Sequence, residues 1–313
     1  MTLFCGHNQG TFVIEGDEAR LFSKVQGTWD IKPVPGNDSL LLQGNYQGLS
    51  VLHRNGGGWE FRNTLSGFDI SSRFYEFTDD GNLIVNHEYK GVYKLKPDPL
   101  LRSVTDSMQT PPWGVGASLF RYRDGLFYAN SNGVFQYQDE EQGFGPDSTM
   151  NSLLSEGTDK PVGILIPDTQ GQRLWGFGNQ SIMYVSPDAV GDELVMTRID
   201  VPEEFRKNMG VLGFECLTRI TDDQYLIGLS DGYVILNLDR LAEITPELGI
   251  HSVQQYYHNQ EGQSISLVAP PKFEYGKYKL EFSYHVPEYG KYTEVEYQYR
   301  LGGLQEDWSP WST

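Results

Sequence analysis

The sequence predicts an all-β protein, namely a β-propeller of about six blades in a closed or incomplete ring, followed by part of an Ig-like β-sandwich. An apolar run, a polar Gly or Asn turn and a second apolar run recur six times, and this pattern is typical of β-hairpins. The turn glycines recur at about 40 to 50 residues per unit, the spacing of propeller blades. These turn glycines are Gly10, Gly48, Gly91, Gly133 and Gly232.

The second copy shows most clearly what one blade contains. Its four apolar segments are residues 29–34, 40–42, 49–52 and 59–62, and Gly or Asn turns separate them. Four later copies begin near residues 73, 118, 163 and 215, and we expect 252–257 to close the sixth. Two short helices are predicted at 202–208 and 239–248, where the loops between blades would lie.

The first copy opens at 3–5, which corresponds to a second strand, so its innermost strand is missing. A propeller avoids exposed sheet edges by closing its ring, and a blade that lacks a strand leaves backbone groups unpaired. We therefore expect the natural chain to extend upstream of Met1. Otherwise, the ring is incomplete or strained, or another segment or molecule covers the edge. A homo-oligomer that pairs these edges is one such arrangement.

A second domain is predicted after the propeller, which we assign to residues 1–263. Residues 278–284 and 295–301 alternate in the way expected of strands with one buried face. A sandwich of this kind usually has about seven strands, and residues 264–313 contain too few. We expect this domain to continue beyond Thr313.

Composition and charge exclude several classes of function. The net charge of −18 disfavours binding to nucleic acid or to an anionic membrane through this segment, because both require a concentrated basic surface. No apolar stretch is long enough to span a membrane. Cys5 and Cys216 have no metal-ligand spacing and are expected to be buried free thiols. No metal site and no cofactor are predicted.

The C-terminal tyrosines carry a resemblance to a known family. The motif YxYRLxGLxxDW at 297–308 resembles the start of a triple-tyrosine domain, and the preceding copies resemble two-component-regulator propeller repeats. Residues 79–85 and 171–176 keep only parts of the repeat signature. The resemblance implies the periplasmic sensor region of a Bacteroidetes-type membrane regulator, often for carbohydrate, joined to a membrane helix and a signalling or transcriptional output downstream.

Seven residues are candidates for ligand binding on the propeller face. They lie in loops that enter an innermost strand or join a second strand to a third, where propeller loops converge on the axis. Aromatic planes beside amide and guanidinium groups suit a sugar, although packing between blades or structural hydrogen bonding would also explain several of them. The candidates are Trp29, Tyr46, Arg73, His87, Tyr89, Trp113 and Asn132.

Three functions remain open on the sequence alone. The first is a non-catalytic sensor that binds an oligosaccharide on the propeller face, and the second is a propeller scaffold that docks another protein. The third is a polysaccharide-cleaving enzyme, for which Asp69, Glu76, Asp79 and Glu88 would supply carboxylates. We predict no catalytic residues, because no recognisable nucleophile, phosphate-binding or dinucleotide-binding motif is present.

Overall fold

The structure, a computed structural model, describes residues 2–56, 58–87, 89–110, 117–138, 143–155, 159–168, 170–188, 191, 193–241, 247–257, 261–267, 276–287, 295–302 and 307–313. Two compact units are present, one of Met1–Val201 with Arg206–Leu236 and one of Pro202–Phe205 with Asn237–Thr313. In the described part, no helix combines the length and apolar character that a membrane span requires.

The first unit consists of six antiparallel sheets in which strands that follow one another in the chain are also neighbours in the sheet. The first sheet has three strands, β1 (Leu3–His7), β2 (Gly10–Glu15) and β3 (Glu18–Ser23). The second has four, β4 (Asp30–Val34), β5 (Asn37–Gly44), β6 (Leu49–Asn55) and β7 (Gly58–Thr64). The third comprises β8 (Phe74–Phe77), β9 (Leu83–His87), β10 (Gly91–Pro97) and β11 (Val104–Thr110).

The remaining sheets follow the same plan. The fourth contains β12 (Ser118–Tyr122), β13 (Gly125–Asn130), β14 (Gly133–Gln138) and β15 (Gly143–Pro146). The fifth contains β16 (Ile166–Asp168), β17 (Arg173–Phe177), β18 (Ser181–Pro187) and β19 (Leu194–Asp200). The sixth has three described strands, β20 (Leu217–Arg219), β21 (Gln224–Leu229) and β22 (Gly232–Asn237). Strand β12 lies beside both β8 and β16, so the first strands of consecutive sheets are innermost. The predicted β-propeller is confirmed.

The hydrophobic cores lie between neighbouring blades. Leu83 and Val85 of β9 pack with Leu42 of the second blade, whereas Ile84 packs with Leu119 of the fourth blade. Consecutive residues of a strand point to opposite faces of the sheet. A single strand of the third blade therefore contributes to two cores, which explains why its apolar residues run without interruption.

Polar contacts between innermost strands hold consecutive blades together. The Nζ of Lys32 in β4 lies 2.6 Å from Oε1 of Glu76, just beyond Tyr75 on β8. The guanidinium of Arg121 in β12 lies 2.9 Å from Oδ1 of Asp79. The buried hydroxyl of Tyr75 also donates to the carbonyl oxygen of Leu42, at 2.7 Å. Side chains as well as apolar packing thus fix the spacing of the second, third and fourth blades.

The turn glycines adopt the conformation that the repeat requires. Gly48, between β5 and β6, has a φ of 72°, and a Cβ there would lie 2.3 Å from the carbonyl oxygen of Phe68. Only glycine combines such a backbone with so close an approach. The φ angles are likewise positive at the other four predicted turn glycines, Gly10, Gly91, Gly133 and Gly232.

The helices agree only partly with the prediction. Helix α2 (Glu203–Asn208) is present, but the second predicted helix is reduced to a single 3-10 turn at Leu238–Arg240, and residues 242–246 lie outside the described residues. Helix α1 (Ser148–Ser155) was not predicted. It begins where Asp147 accepts a hydrogen bond from the Met150 amide, at 2.7 Å, and this side chain acts as an N-terminal cap.

The described residues of the second unit form one sheet, in which β23 (Gly249–Tyr257) lies between β24 (Gln263–Ile265) and β25 (Tyr278–His285). Residues 252–257, expected to close the sixth blade, therefore pair with β24 and β25 instead. The alternating pattern of this strand is the same in either sheet, so the sequence does not reveal its partner. The main segment of this unit begins at Asn237, while the domain boundary at residues 263 and 264 stays a prediction.

Two further details differ from the prediction. Residues 295–301 do not form the expected strand, and only Tyr297 makes a single bridge, with Ser312. A regular strand needs a backbone partner along its length, and no described strand pairs with this segment in a ladder. Both cysteines, Cys5 and Cys216, are exposed rather than buried.

Candidate ligand-binding face

Four of the seven candidate residues line one small cavity between the entries to the second, third and sixth blades, which we call the axial cavity. Trp29 and Arg73 come from the entries to the second and third blades, and His87 and Tyr89 from the loop between β9 and β10. The cavity has a volume of about 150 Å³. Its other lining residues are Ser71, Phe74, Asn86 and Phe214.

Phe214 is the residue that closes the axial cavity from the side of the sixth blade. The guanidinium of Arg73 lies 4.0 Å from the centre of the Phe214 ring and 5.5 Å from that of Trp29. It also donates a hydrogen bond to the carbonyl oxygen of Gly213. Arg73 therefore links the third blade to the entry of the sixth, and cation–π contacts contribute to that link.

Trp29 is fixed by contacts on two sides. Its indole N–H donates to the hydroxyl oxygen of Ser71, at 3.1 Å, and its ring meets that of Tyr46 edge to face, with centroids 5.3 Å apart. Trp29 thus forms part of the cavity wall and also supports Tyr46. These contacts agree both with packing between blades and with a place at a binding face.

His87 has a structural hydrogen-bonding role in its loop. Its Nδ1 accepts hydrogen bonds from the backbone amides of Tyr89, at 3.1 Å, and Lys90, at 3.2 Å. His7 occupies the corresponding position before β2, and its Nδ1 accepts from the Gln9 amide at 3.1 Å. A histidine before the turn glycine therefore stabilises this turn in two blades. Tyr89, which follows, is 76% exposed and available to a ligand.

A larger cleft lies beside Tyr46, with a volume of about 760 Å³, and we call it the outer cleft. Its polar groups include Lys24, Gln26, Gln47 and Asp69, and Phe68 adds an apolar surface. This volume lies within the range of small-molecule sites, whereas the axial cavity is smaller than that range. The outer cleft is therefore the part of the propeller face that has room for several sugar units.

The Tyr46 ring is held in a defined position. Its hydroxyl donates to Oδ1 of Asn8 in the first blade, at 2.5 Å. A Cβ at Gly27 would lie 2.0 Å from the ring, so glycine is needed beneath it. Tyr46 is 38% exposed, and it lines the outer cleft while touching Trp29 of the axial cavity. The two cavities therefore share a wall of aromatic rings.

The other two candidates do not join this group. Asn132 is exposed in the turn before β14, where its backbone N–H donates to Oδ1 of Asn130 at 2.7 Å. It lines neither cavity. Trp113 lies outside the described residues. Four of the candidates therefore line one cavity and Tyr46 lies next to them, while their part in ligand binding stays a prediction.

Two of the four carboxylates considered for catalysis are engaged in ion pairs. Glu76 pairs with Lys32 and Asp79 with Arg121, while Glu88 lies outside the described residues. Asp69 is the one carboxylate among the described residues that line the outer cleft. Within the described part of the chain, no cluster of three His, Cys, Asp or Glu side chains is arranged to hold a metal ion.

Sequence reasoning missed Phe214 and Asn86. Asn86 is 1% exposed and precedes His87 at the end of β9. When the hairpin copies are aligned, Asn86 falls at the position that Phe177 occupies in the fifth blade. A polar residue at a position that is apolar in another blade would have marked it. The approach of Phe214 to Trp29, with ring centroids 6.3 Å apart, depends on how the ring of blades curves, and no local pattern contains that information.

Comparison with known proteins gives similarity in structure alone. No family model matches the chain, and no curated protein matches it. The extracellular domain of the putative hybrid two-component system BT3049 from B. thetaiotaomicron is similar, with a TM-score of 0.51 and 13% identity. The corresponding domain of BT4673 from the same organism has a TM-score of 0.50 and 16% identity.

These solved structures are longer than the present chain. The match covers 98% of this chain and 43% of the BT3049 domain, and 78% of this chain and 31% of the BT4673 domain. The chain shares the fold of these extracellular domains. The resemblance stated from its repeats is confirmed at the level of the fold.

Proposed function

We propose that the chain is a non-catalytic, periplasmic sensing region of a membrane-anchored two-component regulator, and that it binds an oligosaccharide on the propeller face. The observation that carries the proposal is the meeting of Trp29, Tyr46, Arg73 and Tyr89 around two adjoining cavities. The similar solved domains belong to putative hybrid two-component systems, and this supports the location and the signalling role.

The chemistry of the outer cleft supports a sugar ligand. The ring of Tyr46 provides a plane on which the apolar face of a sugar stacks, and Gln26, Gln47 and Lys24 provide hydrogen-bonding groups around it. Glycoside cleavage requires two carboxylates on opposite sides of the bond. The lone carboxylate of Asp69 among the described cleft residues therefore supports binding without catalysis.

Signalling requires more than binding. A ligand shifts a conformational equilibrium only by the difference between its affinities for the two states. In the proposed function, the bound sugar favours one arrangement of the first blades and the sixth blade, which Arg73 connects through Gly213 and Phe214. The change would then pass through the tyrosine-rich second unit to a membrane segment and a transcriptional output.

A ligand screen tests this proposal. The purified chain is heated with neutral hexasaccharides from β-1,4-glucan, β-1,4-mannan, β-1,4-galactan and α-1,5-arabinan, and binding is then quantified by calorimetry. We expect saturable thermal stabilisation by one sugar family, because a ligand that binds the folded state raises the melting temperature. The absence of stabilisation across the panel would contradict the proposal. Release of reducing ends would support the enzyme instead.

Two matched variants locate the site. Tyr46→Ala removes an aromatic ring that is 38% exposed in the outer cleft, and we expect it to weaken binding by about tenfold or more. Phe61→Ala removes a ring that is 39% exposed on β7, outside the cleft, and should leave the affinity unchanged. Equal effects of the two substitutions would place the site elsewhere.

A protein-docking function is the second candidate. Val211, Tyr233 and Ile235 of the sixth blade are 71%, 66% and 52% exposed, and no fourth strand joins this blade within the described residues. We propose a second copy of the chain as the partner, because no described strand pairs with the outer edge of β22 and such an edge can pair with a strand of another chain. Sedimentation should detect a dimer that Ile235→Asp dissociates, and a monomer at all concentrations would contradict this.

A further inference from the structure

We infer that Asn8, in the turn between β1 and β2 of the first blade, is a positioning residue for the outer cleft and holds the Tyr46 ring ready for a sugar. This inference rests on the proposed function, in which that ring stacks against the ligand. Asn8 lines neither cavity, so its effect passes through Tyr46. The affinity for the ligand then depends on how the first blade lies against the second.

The first step concerns the bond that joins the two blades beside the cleft. The Tyr46 hydroxyl donates to Oδ1 of Asn8, at 2.5 Å. Asn8 precedes Gly10 by two residues, as Tyr46 precedes Gly48, so the two side chains come from equivalent turn positions of neighbouring blades. The bond fixes the far end of the Tyr46 ring, which the backbone of its own turn does not reach.

The second step concerns the turn that carries Asn8, which is itself held in place. The carbonyl oxygen of Asn8 accepts from the Gly27 N–H, at 3.1 Å, and that of His7 accepts from the Thr28 N–H, at 3.3 Å. Gly27 also lies against the Tyr46 ring, where an added Cβ would be 2.0 Å from a ring carbon. The same backbone segment therefore supports the ring and the residue that its hydroxyl contacts.

The third step concerns the backbone of Tyr46, which is also attached to the first blade. Its N–H donates to the carbonyl oxygen of Gln26, at 3.2 Å. Nearby, Oγ1 of Thr11 in β2 donates to Oε1 of Gln43, at 2.7 Å, and Nε2 of Gln43 donates to Oδ1 of Asn45, at 2.9 Å. All three of these polar side chains are fully buried. A chain of hydrogen bonds thus runs from the first blade to the residue before Tyr46.

The fourth step concerns the effect of a fixed ring on affinity. A ligand that has to immobilise a mobile side chain loses part of its binding free energy to the entropy of that side chain, whereas a ring already in position avoids this cost. Tyr46 is 38% exposed, so burial alone does not immobilise it. Loss of the Asn8 oxygen should therefore weaken sugar binding although that oxygen lies outside the cleft.

The experiment uses the hexasaccharide that stabilises the chain in the screen described above. Asn8→Ala removes the acceptor, and we expect the affinity to fall about 3- to 10-fold, the effect of one hydrogen bond. Asn37→Ala is the matched control, because Oδ1 of the exposed Asn37 also accepts from a hydroxyl, that of Ser39 at 2.6 Å, but lies outside both cavities. Neither asparagine has a positive φ, so alanine fits both backbones. The two variants should have similar melting temperatures, and only Asn8→Ala should lose affinity.

Further variants separate positioning from direct contact with the sugar. Asn8→Asp keeps an oxygen that accepts from the Tyr46 hydroxyl, so it should retain the affinity of the unmodified chain. Tyr46→Phe keeps the ring and removes the hydroxyl, and it should lose as much affinity as Asn8→Ala. The double variant Asn8→Ala with Tyr46→Phe should lose no more than either single variant, because both changes remove the same hydrogen bond.

Several results would overturn the inference and leave the proposed function standing. These are unchanged affinity in Asn8→Ala, equal losses in Asn8→Ala and Asn37→Ala, and an Asn8→Asp variant that binds as weakly as Asn8→Ala. Additive losses in the double variant would mean that Asn8 or the Tyr46 hydroxyl contacts the sugar directly, and the positioning role would be wrong. If no hexasaccharide stabilises the unmodified chain, the proposed function fails and the inference fails with it.

Discussion

Glu215 shows how a single buried charge holds two blades together. Its side chain is 0% exposed, and its Oε1 lies 3.0 Å from the guanidinium of Arg206. It also accepts from the backbone amides of Gly213, at 3.0 Å, and Ile164, at 3.3 Å. The entry to the sixth blade, which carries Phe214 into the axial cavity, is thereby attached to the fifth.

We predict that Glu215→Ala reduces the free energy of unfolding by about 3 to 5 kcal/mol, because it leaves a buried arginine without its partner. Asp222→Asn is the control, since Asp222 pairs with Arg219 but is 85% exposed, and such pairs contribute at most about 1 kcal/mol. Urea denaturation measures both values. A small loss in Glu215→Ala would mean that water solvates this site.

Asp159 gives the loop before the fifth blade a dependence on pH. Burial alone would raise the pKa of this carboxyl. The Ser181 hydroxyl and the backbone amides of Asn179 and Gln180 donate to it, and together they hold its pKa below the ordinary value. The ionised form is therefore favoured in the folded state.

We predict that Asp159→Asn costs most stability at neutral pH. The folded pKa lies below the unfolded value of about 3.9, so the contribution of Asp159 is complete above that pH and is lost as the pH falls toward the folded pKa. Urea denaturation of both proteins at pH 7 and pH 3 should show the difference shrinking in acid. A difference that is constant with pH would contradict this assignment.

At the scale of the element, the hairpin turn is the most constrained part of a blade. We predict that Gly48→Ala lowers the unfolding free energy by about 2 to 4 kcal/mol, through backbone strain and a clash with the Phe68 carbonyl. Gly36→Ala isolates the strain, because Gly36 has a φ of 73° and no atom within 4 Å of an added Cβ. It should cost about 1 kcal/mol. Equal losses in chemical denaturation would exclude the clash.

The hairpins were predictable because the backbone of each turn requires a glycine, which is visible in the sequence. Gly48 and Gly91 mark turns whose backbone requires glycine, and their spacing reveals the repeat. Helix α1 was missed because it is short, and its signal is a capping aspartate followed by the buried residues Met150 and Leu154. Strand β23 was recognised as a strand but given the wrong sheet, since alternation identifies a face and not a partner.

The site was predictable to the extent that loop position determines it. Trp29, Arg73, His87 and Tyr89 come from loops that the propeller plan brings to its axis, so the plan alone placed them together. Phe214 required knowledge of how the sixth blade approaches the second and third. The hydrogen bond from Asn86 to the Ala117 carbonyl joins two blades, and only the folded ring determines that contact.

At the scale of the whole molecule, stability should vary from blade to blade. Val85 and Ile84 of the third blade are fully buried on its two faces, whereas Tyr233 and Ile235 of the sixth are exposed. Local opening is easiest where few apolar contacts must be broken. The central blades should therefore be the most rigid part of the first unit.

We predict that hydrogen exchange of backbone amides is slowest in β9 and β10 and faster in β1 and β22, and mass spectrometry after pulsed labelling would measure it. Blade order provides an internal control, because the fourth blade, with cores on both sides, should resemble the third. Uniform protection across all six blades would mean that the ring opens as one cooperative body.

The bonds that cross between blades limit how such repeats are exchanged. Lys32 is carried by one repeat and its acceptor Glu76 by the next, as are Arg121 and Asp79 in the reverse order. A chimera that duplicated or transplanted the third repeat alone would separate two donors from their acceptors. Protein engineering that exchanges repeats therefore has to transfer the second, third and fourth repeats together, with the junctions outside this group.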